Sequence, residues 1–175
     1  DHIIIQGSPQ FVMDTLDTLE NLSETMTGTE IIVAINSSGN DVTIVECPPG
    51  SSQVKVADPA SPDLQNGTGT DATVYWDNDQ SPIYNSGADW DNPPKEVELG
   101  HELIHAAHAA EGDMPGDIRD PEVQKQEEAR TVGLPANEDA GLPDNSEETM
   151  TEKNLREELD QPPRTSYNDP KLKTW

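Results

Sequence analysis

Basic residues are scarce in this chain. Ten lysines and arginines stand against thirty-five acidic residues, for a formal net charge of −25, and no lysine or arginine occurs before Lys55. Nucleic acid and anionic lipid are therefore excluded as partners, because phosphate contacts need clustered cations. The charge suits a basic partner or substrate, and it also suits a protein of a salt-adapted organism, where self-repulsion is screened. Cysteine is represented by Cys47 alone, which excludes an internal disulfide and leaves a reducing compartment open. No run of about 18 apolar residues occurs, so no segment reads as a membrane span, and no signal-peptide pattern is present. Aromatics make up 4% and hydrophobic residues 31% of the sequence, so the core must be small and much of the chain loop.

What is present reads as one domain over 1–175, sheet-rich over 1–92 and helical over 93–175. Residues 2–7 form a strand candidate. Ser8 as cap and Pro9 at the first helical position open a helix whose stripe is Val12, Leu16, Leu19, Leu22 and Met26, with Gly28 as the stop. Residues 30–36 and 41–46 read as two strands joined by a turn, 53–57 as a short strand and 72–77 as the last strand. The clearest helix runs from 95 to 110, between Pro93, Pro94 and Gly112. A further helix spans 121–133 with Asp120 as cap and Gly133 as stop, and a short one spans 151–160 with Thr151 as cap. The class is α+β.

The helix over 95–110 carries HELIHAAH. Residues four apart on a helix differ by about 40° in azimuth, so His101 and His105 point the same way and can ligate one ion. Glu102 is turned about 100° from His101, where its carboxylate reaches a water on the ion rather than the ion itself. Two imidazoles and a general-base glutamate are the H-E-x-x-H arrangement of zinc peptidases. One Zn2+ per chain is the expected cofactor, since neutral imidazole suits zinc better than magnesium or calcium. His108 shares the face, but three rings spread along about 10 Å of one straight helix cannot close one tetrahedron, so it reads as a supporting or packing residue. The third ligand must come from elsewhere. Glu127 and Glu128, in QEEARTVG, are the candidates, with Arg130 nearby to neutralise charge.

HELIHxxH followed by EExRTxG and later RxxY resembles the zinc-protease light chains of clostridial neurotoxins, and more closely the NleD-like family of bacterial effector metallopeptidases. The likeness covers residues 95–167 well and the first ninety only in general layout. The resemblance implies a small zincin-like metalloprotease fold: a short mixed or antiparallel sheet, an N-terminal helix and a central helix bearing HExxH. It also implies that Glu128 is the third zinc ligand, that Glu127 supports the site, and that Arg164 and Tyr167 stabilise the oxyanion. In folds of this type a strand along the cleft edge pairs with the substrate backbone. Residues 72–77 are the candidate for it, with Tyr75 and Trp76 either binding substrate or filling the core.

The function expected from these features is hydrolysis of peptide bonds in a protein or peptide substrate by a monomer. The resemblance implies a secreted effector or toxin domain delivered into a target cell and acting in its cytosol. The alternatives are a peptidase of the producing cell's cytoplasm, an inactive zinc-binding relative, and an acidic binding protein in which HELIH is coincidental.

Overall fold

The computed structural model describes residues 2–79, 88–137, 141–145 and 147–164. Its sheet has four strands: β1 (Ile3–Gln6), β2 (Val42–Glu46), β3 (Gln53–Val56) and β4 (Ala72–Trp76). They lie in the order β1-β2-β4-β3, with β1, β2 and β4 parallel and β3 antiparallel to β4. Five α-helices accompany them among the described residues: α1 (Pro9–Ser23), α2 (Met26–Ser38), α3 (Lys95–Glu111), α4 (Pro121–Val132) and α5 (Glu152–Glu158). The class is α+β with a mixed sheet, as expected.

Two sequence expectations for the first forty residues fail. The stretch 30–36 is not a strand but the body of α2, so no hairpin joins it to β2; β1 and β2 are instead parallel, and a parallel pair needs a crossover, which α1 and α2 supply. Nor does the first helix run to Gly28. It ends at Ser23, and the Thr25 hydroxyl accepts from Gly28 N at 2.9 Å to cap a new helix. The face of α1 that is buried is Phe11, Thr15, Thr18 and Leu22, while Leu16 is exposed. Threonines can be buried there because their hydroxyls donate to the carbonyls of Phe11 and Asp14, at 2.7 and 2.8 Å.

The remaining elements follow the sequence closely. Ser8 caps α1, Asp120 caps α4 and Thr151 caps α5, and Gly112 and Gly133 close α3 and α4 at φ 70° and 77°, a region that glycine enters freely. Alternation along the strands puts Val42, Ile44, Val54, Val56, Ala72, Val74 and Trp76 on one buried face. Helix α3 lies against that face, buried throughout from Val97 to Ala110. Packing of so many fully buried apolar side chains contributes about 1.5–3 kcal/mol for each large one, and fixes α3 as the rigid axis of the molecule.

Strand β4 is interior, hydrogen-bonded to β2 on one side and β3 on the other. The expectation that it borders a substrate cleft therefore does not hold. Trp76 is wholly buried against Phe11, with ring centroids 5.9 Å apart, and Tyr75 alternates to the face away from α3, where the Lys55 ammonium lies 5.5 Å from its ring. Both residues belong to the sheet. The antiparallel edge is β3.

Helices α1 and α5 meet α3 at Gly100, immediately before His101. A methyl group there would collide with the Leu155 side chain of α5 and press on Leu22 of α1. This close approach carries the start of α5 to the histidines.

Candidate metal centre

His101 and His105 project from the same side of α3, with ring centroids 4.8 Å apart and planes at 85°. Helix α4 returns alongside, and its Glu128 carboxylate reaches His105 Nε2 at 3.1 Å and His101 Nε2 at 3.5 Å. One donor atom from each of the three residues falls within 4.8 Å of the others, a group that could hold a metal ion.

Each imidazole is fixed through its other nitrogen. His101 Nδ1 donates to Glu152 Oε2 at 2.9 Å, and His105 Nδ1 donates to Glu127 Oε1 at 3.0 Å. Holding the proton on Nδ1 leaves the Nε2 lone pair facing the cluster. The His101 Nε2 atom is buried and makes no hydrogen bond among the described residues. Two oriented imidazoles with a carboxylate between them are the donor set of a catalytic zinc site, so the residues fit the metal that the motif implies.

The supporting shell is charged and buried. Glu127, fully buried, accepts from His105, from His108 Nδ1 at 2.6 Å and from the Thr131 hydroxyl at 3.2 Å. His108 is thus tied to the site through Glu127. Glu152 accepts from the Arg156 Nε at 2.5 Å and from Arg164 at 3.2 Å, and a second Arg164 nitrogen lies 3.5 Å from Glu128. Burial opposes charge on these groups, yet the partners outweigh it. Without a metal, the carboxylates of Glu128 and Glu152 raise the His101 pKa to about 10, so a bound ion would have to displace the proton from Nε2; histidine neighbours hold Glu127 at about 2, and His101 with the two arginines holds Glu152 at about 2.

Glu102 is 1% exposed on α3, next to His101. Arg164 is not a surface arginine: it is 5% exposed, with its guanidinium 5.6 Å from the Trp90 ring. Tyr167 lies outside the described residues. Arg130 acts on Glu127 through its charge, but its hydrogen bonds go elsewhere. It reaches away from the centre to the Glu148 carboxylate at 2.6 Å and to the backbone and carboxylate of Asp113 at 2.6 and 2.5 Å, tying the turn after α3 to the segment before α5. The arginines at the centre are Arg156 and Arg164.

The profile of the peptidase M91 family, described as effector protein, matches residues 1–167. The chain belongs to that family. Membership of the M91 family, which is NleD-like, extends the likeness over the first ninety residues, where the motifs are silent. No curated protein matches the M91 chain significantly. No helix among the described residues is long and apolar enough to cross a membrane.

Sequence reasoning about this M91 chain passed over Glu152, Arg156 and Trp90. An acid in the first turn of a helix followed four residues later by arginine reads as an ordinary surface pair near a helix N-terminus. The signal that sets them apart is long-range: Glu152 meets a histidine 51 residues earlier.

Proposed function

We propose that the chain is a zinc-dependent endopeptidase that cleaves a protein substrate after delivery, as an effector, into a host cell. The observation that carries this reading is the convergence of His101, His105 and Glu128 within 4.8 Å, with each imidazole backed by a buried carboxylate. These three residues would hold the metal, leaving one position open. Zinc, when bound, polarises both a water molecule and the scissile carbonyl.

The chain's own groups do the rest. Glu102 takes the proton from the attacking water and gives it to the departing amine. Arg164 would stabilise the carbonyl oxygen as it gains negative charge, where a preorganised, buried cation is most effective, and the motif resemblance gives Tyr167 a share in that role. Glu127 and Glu152 hold the histidine rings. Among the described residues β3 pairs with β4 alone, and its other edge is where an extended substrate would pair.

The test is metal content and cleavage together. Protein purified without chelator should carry about one zinc per chain. The double variant His101→Ala, His105→Ala should lose it. Glu102→Gln should keep the metal and fail to cleave unstructured casein. No zinc after addition of the metal, or full cleavage by Glu102→Gln, would overturn the reading.

A further inference from the structure

Arg164 reaches the centre on a segment that reverses sharply after α5. Asp160 sits in the left-handed region at φ 54°, where non-glycine residues are seldom found, and Gln161 N donates to the Arg156 carbonyl at 2.7 Å to close the turn. Pro162 and Pro163 then limit the backbone that leads to Arg164. Nothing in this turn alone specifies where the arginine stops.

The Arg156 side chain, 1% exposed, supplies that information. Its three nitrogens point to three different segments. Nε donates to Glu152 Oε1 at 2.5 Å, Nη1 to the Pro162 carbonyl at 3.1 Å and Nη2 to the Trp90 carbonyl at 3.3 Å. Each of these partners borders Arg164. Glu152 shares its other oxygen between Arg164 and His101, Pro162 lies two residues before Arg164, and the Trp90 ring lies beneath the Arg164 guanidinium. The planar fork donates from three separate nitrogens to partners on three sides, whereas the three N–H donors of lysine radiate from one atom and cannot span the same partners.

We propose that Arg156 is the positioning residue of the centre: by joining Glu152, Trp90 and the returning segment, it sets Arg164 against the metal ligands. Arg156 itself touches neither metal nor substrate. The inference rests on the reading of Arg164 as the group facing the developing negative oxygen, and its test separates the two.

The full chain, loaded with zinc and labelled with 15N, is compared with Arg156→Lys, Arg164→Ala and the double variant. The first readout is the guanidinium Nε–H signal of Arg164, which does not depend on catalysis. In Arg156→Lys that signal should shift or broaden while the backbone amides of α3 and the zinc content stay as they are; an unmoved Arg164 signal would overturn the proposal. The second readout is casein cleavage, where Arg156→Lys should lower kcat about 10–100-fold at nearly constant KM, and the double variant should be no slower than Arg164→Ala. Additive losses would make Arg156 merely structural and overturn the proposal. Full activity in Arg164→Ala would instead remove Arg164 from the reaction, and the first readout would still decide the positioning. If Arg156→Lys does not fold, the native protein answers: slow rotation of the Arg156 guanidinium is expected from its three bonds, and free rotation would refute them.

Discussion

Replacing Glu152 by glutamine keeps the shape of the side chain and removes its charge. Three donors converge on that carboxylate: His101 Nδ1 at 2.9 Å, Arg164 at 3.2 Å and Arg156 at 2.5 Å. A carboxylate accepts from all three, but an amide has one oxygen, and its NH2 would point at a donor. At least one charge-assisted bond is lost, and two buried arginines are left under-compensated. Breaking a buried pair by removing one partner costs about 3–5 kcal/mol of stability. Loss of a group that orients a ligating histidine typically lowers metal affinity about 10–100-fold, equivalent to about 1.4–2.8 kcal/mol. Urea denaturation in chelator should read the first effect, and competition for zinc with a chromophoric chelator the second. A variant within about 1 kcal/mol of the parent in stability, with unchanged affinity, would refute the view that Glu152 holds both His101 and the arginines.

Glu128→Ala should weaken zinc binding more than Glu127→Ala in the same competition, because only Glu128 reaches both Nε2 atoms; the reverse order would exchange their roles. Arg130→Ala should cost about 1–2 kcal/mol by freeing the Asp113 turn from Glu148, with zinc affinity changed far less than tenfold, since Arg130 acts on the centre only through its charge near Glu127 and its hydrogen bonds go to Asp113 and Glu148. A tenfold loss of affinity would place Arg130 in the centre after all. Burial, reinforced by the Asp77 carboxylate, pushes the Cys47 thiol up to about 11. At pH 7.5 roughly three in ten thousand molecules would carry the reactive thiolate, so iodoacetamide should label Cys47 slowly and about tenfold faster for each pH unit toward 10. Rapid labelling at neutral pH would contradict that environment.

Local chemistry made much of this fold readable. Helix α3 with HELIH, the Asp120–Pro121 start and Gly133 stop of α4, and the Thr151 cap of α5 are written in adjacent residues. Helix α2 was not readable in the same way. Glu30 to Asn36 contains a β-branched run that scores as a strand, and its helical state follows from burial of Ile31, Ala34 and Ile35 against neighbouring elements. The Thr25 cap and the glycine at 39 were the clues at its two ends. At the site, spacing on one helix singled out His101, Glu102 and His105 as candidates and the resemblance pointed to Glu128 and Arg164; of these, His101, His105 and Glu128 come together as a group that could hold a metal ion. Glu152 and Arg156 depend on the packing of α5 against α3, which no periodicity encodes. The same limit applies to β4: its alternation marked a half-buried strand but not its place between two others.

The closeness of α3 and α5 at Gly100 has a practical consequence for finding distant kin of this chain. HELIH behind a bulkier residue would still present two imidazoles, but the helix bearing Glu152 would stand off and the outer carboxylate of His101 would have to come from elsewhere. A search pattern built only on HExxH is blind to that difference. One that begins a residue earlier, at glycine, and asks for an acid followed four positions on by arginine some 51 residues past the first histidine, would separate chains that can assemble this centre from those that share only its ligands.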